Sequence, residues 1–552
     1  MMFLHPETDA GNLLKGVTKM IIDNVRIYQP SGEEKPEELY AVEFEGEYIK
    51  AVYPSPYQGE GPVIDGESRV LAPGFNDSHM HLLRYGLLVK ELDLREADSF
   101  KEMKEMIQKH YGVLEEGQWI FGKGFNDAGF EDLERPLTAK DLNDIQVNAY
   151  IYLIHEDGHE CVISENALDL LKEEKEFSRI PESFKERDTS GQMNGRFKDT
   201  AVHFINHRFW GRDKEEAKNA IKAALPRLSS YGITSVHTDD RSFIGSFARL
   251  YEAYTDLEQE GNLPIDVQLH HYVFHKDDIT EFVEKETMRT GDGTASVTVG
   301  AVKLFLDGTQ RLHTASMRNP YPDEPSKSGP LIYNQKEVNE MVRYAAQNQM
   351  QVAMHAIGDR AVEQAVTALE QEEACTKDLR HRLIHAQTLA PDLIGRISAS
   401  HAYVETQPSF LLGEWDKKEK WVPEELVPFS DPYKSMKEAG IPFTLSSDLP
   451  IGSINPMVTV GTAVTRQDLE DQPEGGWMPG EKLTVDESFY GMGHAPAYLE
   501  FKEYRKGKVS PGYQADFVLL DQHPLESPPG RLKDIKVTET WHKGIQTYAE
   551  SE

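Results

Sequence analysis

The chain has 552 residues, of which 39% are apolar and 28% charged. That length suits roughly two to four domains, or one large barrel with attachments. Its formal charge of −34 argues against a nucleic-acid binder and fits poorly with an anionic membrane surface, since both would repel it. Two cysteines, Cys161 and Cys375, give neither a disulfide framework nor a cysteine zinc site, so free thiols in a reducing cytoplasm are expected. No apolar run is long enough to span a bilayer, and the first residues lack the basic and apolar regions of a signal peptide.

The opening residues, to about Gly16, read as a loose tail. KMIIDNVRIYQ and ELYAVEFEGEYIKAVYP then read as short strands, with β-branched and aromatic residues alternating with charges. GKVSPGYQADFVLLD and VTETWHKGIQTY near the other end have the same texture. The two ends are therefore expected to build one small β-sandwich, from residues 1–72 and from 476–552, the latter including a last helix. RVLAPGFNDSHMHLLRYG follows, an apolar run broken at Pro73-Gly74 and then His79 and His81. Residues two apart on a strand face the same side, so this pair can reach one ion.

From about 100 to 207 the pattern is mixed, with an amphipathic helix in SFKEMKEMIQKHYGVL, strand-like WIFGKGF and AYIYLIHEDGH, and a charged, exposed stretch from Glu173 to Arg187. Afterwards apolar runs alternate with helical segments: ITSVHTDD, IDVQLHHYVF, VGAVKLFLDG, QVAMHAIGD, HRLIHAQ, AYVETQPS and FTLSSDLP. Strands alternating with helices indicate parallel βα units. With the His79 strand they reach the count of a (β/α)8 TIM barrel, predicted over 73–475, provided about 100–207 is an insertion after the first strand.

Several of these strands end in a residue able to bind metal: His79 and His81, Lys303, His355, His385 and Asp448. C-terminal strand ends converge on one mouth of such a barrel. Imidazole and carboxylate ligands suit zinc, with other divalent ions allowed, and the set has room for one or two ions. Each residue also has a plain structural reading, as a packed barrel histidine or a helix cap. Lys303 on an apolar strand is harder to dismiss, because a buried ammonium is costly unless paired or modified. His270 and His271 are adjacent and face opposite sides, so at most one can line the barrel.

The stretches LAPGFNDSHMHL, EDGHECVISENAL, YGITSVHTD, GAVKLFLDGT, MHAIGDRAV, RHRLIHAQ, SSDLPIGSINP and GKVSPGYQADFVLLD resemble, in order, the amidohydrolase superfamily. Within it the chain is similar to the YtcJ-like amidohydrolases related to N-substituted formamide deformylase. The resemblance implies a metal-dependent hydrolase of a non-peptide, amide-like C–N bond in an N-acyl or N-formyl small molecule, working through metal-activated hydroxide. It places His79, His81 and Asp448 on one metal and His355 and His385 on a second. It makes Lys303 a candidate carboxylated lysine bridging the two. Asp448 becomes the general base and then acid, and His159 of EDGHE a residue facing the substrate. His237 is expected to pack or to support the ligands, and Asp307 and Arg360 to order nearby loops. Asn76 and the LDGTQRLHT loop depart from the family pattern. Homodimers are common among such proteins. Two readings compete with amide hydrolysis: an esterase, lactonase or phosphoesterase on the same site, and a non-catalytic binding or regulatory protein on a hydrolase scaffold.

Overall fold

Eight short strands form one parallel sheet in which chain order equals spatial order. They are Phe75–Met80, Ile233–Thr238, Asp266–Tyr272, Val297–Phe305, Val352–Ala356, Arg382–His385, Tyr403–Thr406 and Phe443–Leu445. This computed structural model describes residues 19–30, 37–112, 119–156, 158–172, 177–178, 180–209 and 213–550. The first and eighth strands meet through the segment just past the eighth. Asp448 N donates to His79 O at 2.8 Å, His81 N donates to Leu449 O at 2.7 Å, and the Ser78 and Thr444 hydroxyls pair at 2.8 Å. The fold is thus a nearly closed, TIM-barrel-like α/β cylinder.

Both faces of these strands are covered, as in parallel sheets generally; every residue of Val297–Phe305 is buried. The outer cover comes from amphipathic helices. Gln335–Gln347 buries Val338, Met341, Val342, Ala345 and Ala346, the spacing of one helical face. Its start is fixed by a capping box between Asn334 and Glu337. Lys214–Ser230 is capped by Asp213, which accepts from Glu216 N.

The strands of the two chain ends share a second sheet, in the order Ile545–Ala549, Val537–His542, Phe517–Leu520, Val70–Pro73, Met20–Ile27, Tyr40–Glu45 and Tyr48–Pro54. The Val70–Pro73 run therefore belongs to this sheet, and Gly74 marks the passage into the barrel. In a flat sheet Tyr40–Glu45 and Val537–His542 would lie about 19 Å apart, at about 4.8 Å per strand. The rings of Phe44 and Trp541 are instead 5.6 Å apart. The sheet folds over on itself about a core of Val42, Phe44, Leu71, Phe517, Leu519 and Trp541.

A third sheet lies between the first and second barrel strands, in the order Lys185–Arg187, Met193–Lys198, Glu160–Ile163, Tyr150–His155, Trp119–Phe125 and Leu92–Asp93. Its first strand precedes residue 100, so the inserted structure begins earlier than expected. The charged stretch there is not uniformly exposed. Phe184 and Lys185 are buried, the lysine bonded to Glu182 at 3.0 Å and lying over the Phe177 ring. The expected N-terminal tail falls outside the described residues.

Trp541 is fully buried where the two chain ends meet. Trp541→Ala is predicted to destabilise the protein by about 3–5 kcal/mol, read as a fall in the denaturation midpoint; an unchanged midpoint would contradict this account of the terminal core.

Candidate metal centre

The first strand ends at Met80, so His79 lies on it and His81 is the residue capping the helix Leu82–Lys90. The alternation of an extended chain aims both imidazoles at the mouth. Asp448 arrives from just past the eighth strand with a left-handed φ of 53°, an uncommon conformation for a non-glycine residue and one that concentrates at functional sites. Its backbone is held by His79 O, and its Oδ1 lies 3.3 Å from His79 Nε2 and 3.1 Å from His81 Nε2. All three side chains are buried, and one ligand atom from each lies within 4.8 Å of the other two.

Asp239, just past the second strand, adds a second carboxylate. Its Oδ1 is 2.5 Å from His81 Nδ1 and its Oδ2 is 3.5 Å from Lys303 Nζ. Burial lowers the His81 imidazole, but Asp239 and Asp448 outweigh it and raise it to about 10. Burial likewise opposes ionisation of Asp448, yet His79 and His81 hold its carboxyl well below the usual range. The negative charge of the centre thus draws positive charge to this point.

His355 and His385 form the opposite side, their rings 4.5 Å apart, with the His385 ring 5.7 Å from that of His79. Burial, followed for His355 by the neighbouring His385 and Lys303, holds both imidazoles low, His385 at about 3. Neutral imidazole is the ligating form. The tautomer of His385 follows from its neighbours. Gln407 spends its amide N–H groups on Glu405 O and the Ser446 hydroxyl, so its Oε1, 2.6 Å from His385 Nδ1, accepts. His385 Nδ1 therefore carries the proton, and Nε2 keeps its lone pair. The backbone of His385 is also left-handed, at φ 73°.

A direct test of fit is the polar balance. His79 Nδ1 is buried without a hydrogen-bond partner, and His81 Nδ1, both oxygens of Asp239, Asp448 Oδ1 and Lys303 Nζ have none beyond the ion-pair contacts they make with one another. Buried groups are ordinarily paired, and leaving them unpaired is costly. So many buried imidazole and carboxylate groups turned on one another in one place fit a divalent cation. A second group, Asp266, Asp516 and His542, has similar proximity but a different balance. Lys543 and Lys506 lie 2.9 and 3.3 Å from Asp266, and Lys543 N donates to Asp516 at 2.7 Å. Lysines already neutralise that cluster.

The centre opens into a cavity of about 100 Å³ lined by all the proposed ligands except Lys303, which is fully buried behind Phe305. His159 lines it too, its Nδ1 3.1 Å from Asp199 Oδ1. His237 lies deeper, between Arg382 (2.7 Å) and Glu500 (3.0 Å). His270 joins the same interior network through Arg382, while His271 packs outward against Phe247 and Phe282. Asn76 is part of that network, donating to Glu500 at 2.5 Å. Asp307 accepts from the backbone of Ser316, Ile357 and Gly358, and Arg360 bonds the Ser316 hydroxyl. The unusual LDGTQRLHT loop supplies Thr309, Gln310 and Arg311 to the cavity wall.

Sequence reasoning missed Asp239, His203 and Arg84. Asp239 was legible: it is two residues beyond His237 on the same alternation. His203 comes from the helix Thr200–Phe209 of the insertion, its ring tilted against that of Phe305 at 4.7 Å. No local pattern announced it.

The sequence pattern of the Amidohydrolase family matches residues 62–548. The chain belongs to the amidohydrolase family. It is 28% identical over 510 residues to the putative amidohydrolase YtcJ of Bacillus subtilis, covering 92% of this chain and 93% of that protein. It is 24% identical to N-substituted formamide deformylase of Arthrobacter pascens, covering 89% and 90%. Among solved structures, an uncharacterized metal-dependent hydrolase from Pyrococcus horikoshii shares the fold, with a TM-score of 0.74, 23% identity and coverage of 93% of this chain and 99% of that one.

Elemental analysis of the purified amidohydrolase should find stoichiometric divalent metal. His79→Ala and His81→Ala should each lower that content, and His271→Ala should leave it unchanged. Equal metal content in all three would contradict the assignment.

Proposed function

We propose that this hydrolase cleaves an amide-like C–N bond of a small molecule, N-acyl or N-formyl, with zinc or a similar divalent ion. The observation that carries this reading is the buried cluster of imidazole, carboxylate and amine groups that pair chiefly with one another, beside a small cavity. The name of the deformylase relative supports the choice of bond. His79, His81 and Asp448 would hold one ion, and His355 and His385 a second. Burial lowers the Lys303 amine, which favours the neutral form able to add CO2. The resulting carbamate would present an anion where the ammonium has Asp239 as its ion-pair partner, at 3.5 Å. When bound, the metal supplies Lewis acidity, lowering the pKa of water from about 15.7 to roughly 7 and polarising a carbonyl.

The chain's own groups do the rest. Asp448 takes a proton from the attacking water at its Oδ1 and returns it to the departing nitrogen, as base and then acid. His159, oriented by Asp199, offers an imidazole to the substrate carbonyl from the insertion side. Asp199 is itself fixed by the Thr314 hydroxyl. Phe305, Ile357, Phe410 and Ile451 give the cavity an apolar lining that limits access of bulk water. Among the described residues no helix is long and apolar enough to cross a membrane. We place the enzyme in the cytoplasm, acting on a small-molecule substrate.

Asp448→Asn should keep the fold by circular dichroism yet lose about 10²–10⁴-fold in turnover on a panel of N-formyl and N-acyl compounds. Full activity in that variant would remove Asp448 from the mechanism. Lys303→Ala should hold less metal than the parent and lose any stimulation by bicarbonate; retention of both would exclude the carbamate.

A further inference from the structure

Arg84 is a buried cation in the cavity wall, 4% exposed. It lies on the first turn of the helix that His81 caps, so its guanidinium borders the metal centre. Among the described residues no carboxylate lies within the 4.0 Å of an ion pair. Its Nη2 donates to Gly158 O at 2.7 Å, its Nε has no partner, and the Phe243 ring lies 5.9 Å away. Asp240 is close but engaged elsewhere. Its Oδ2 accepts from Leu83 N at 2.9 Å and from the Thr238 hydroxyl at 2.5 Å, and its Oδ1 accepts from Arg84 N at 3.2 Å. Those bonds cap the helix start, and Asp448, Glu91 and Asp240 act on the Arg84 guanidinium only from beyond ion-pair distance. The other carboxylate of the cavity wall besides Asp448 is Glu414, which bonds Lys418 and Gln387.

The surrounding chain is shaped to hold this guanidinium in place. Gly158 has a left-handed φ of +71°, and a Cβ there would stand 2.2 Å from Arg84 Nη2 and 2.6 Å from Ile451 Cδ1. The insertion loop and the segment after the eighth strand thus clasp the side chain from two sides. Burying a cation with no counter-ion in contact is expensive, and a planar guanidinium suits a carboxylate bound through two parallel hydrogen bonds.

We propose that Arg84 anchors an anionic group of the substrate, so that the preferred substrate is a small amide carrying a carboxylate close to its scissile bond. This deepens the amide-hydrolase reading and rests on it for the position of the scissile bond. The hydrolysis itself is unchanged: water adds to the carbonyl carbon, the C–N bond breaks, and the products are a carboxylic acid and an amine. Arg84 stays protonated throughout and acts on binding. The overall charge of −34 makes a local cation the more necessary for drawing in an anion.

The test uses zinc-loaded full-length protein and matched pairs of ligands: N-formyl and N-acetyl derivatives of glycine, alanine and phenylalanine, each as the free acid and as the neutral carboxamide. Calorimetry should show at least one acid binding about 30-fold tighter than its carboxamide, the range of a charge-assisted hydrogen-bonded pair. Arg84→Gln should erase that preference while keeping zinc content and melting temperature. Arg84→Lys, which retains the charge, should keep part of it and serves if the glutamine variant misfolds. No preference in any pair, or a preference that survives Arg84→Gln, would overturn the inference. Turnover separates it from the parent reading. Preference without hydrolysis would sink only the amide-hydrolase function, whereas equal hydrolysis of acids and carboxamides would sink only the role of Arg84.

Discussion

Buried polar groups without partners are costly, and the mouth of this barrel concentrates them. His79, His81, Asp448, Asp239 and Lys303 lie within a few ångströms of one another, out of contact with solvent. Their ion-pair contacts are with one another, and His79 Nδ1 has no hydrogen-bond partner. A cation satisfies them directly, by taking lone pairs from imidazole and carboxylate together. The cluster at Asp266 sharpens the point: similar proximity, with lysines already in place, creates no such need.

The rest of the fold serves to bring these groups together. Their sequence separation, from His79 to Asp448, is bridged by closure of the sheet, and the closing hydrogen bonds involve the ligands' own backbones. Left-handed conformations at His385 and Asp448 show local geometry yielding to the site. The insertion, with His159 and His203, and the loop after the fourth strand, with Arg311, form the cavity wall above the ions' place. Metal chemistry thus comes from strand ends, while recognition comes from segments that differ most among proteins sharing a fold.

Much of this was legible in the chain. The alternation of apolar runs with amphipathic helices announced the parallel barrel, and the HMH spacing followed from the two-residue repeat of a strand. The shared sheet of the two chain ends was visible in matching texture at residues 20–54 and 517–549. What escaped is equally instructive. Asp239 lies on the same alternation as His237, which places the aspartate nearer the mouth. Arg84 and His203 sit on helices, and only the packing of the insertion against the barrel turns them toward the cavity. A charged stretch suggests exposure for Lys185, whereas Phe177 and Glu182 give its stem and ammonium a buried place.

The central claim concerns where a cation sits. Anomalous diffraction from a crystal of the zinc-loaded protein, recorded on both sides of the zinc absorption edge, locates it directly. A peak is expected within about 2.0–2.2 Å of His79 and His81 nitrogens and an Asp448 oxygen. A mouth without anomalous signal, or zinc bound only at unrelated surface histidines, would contradict it.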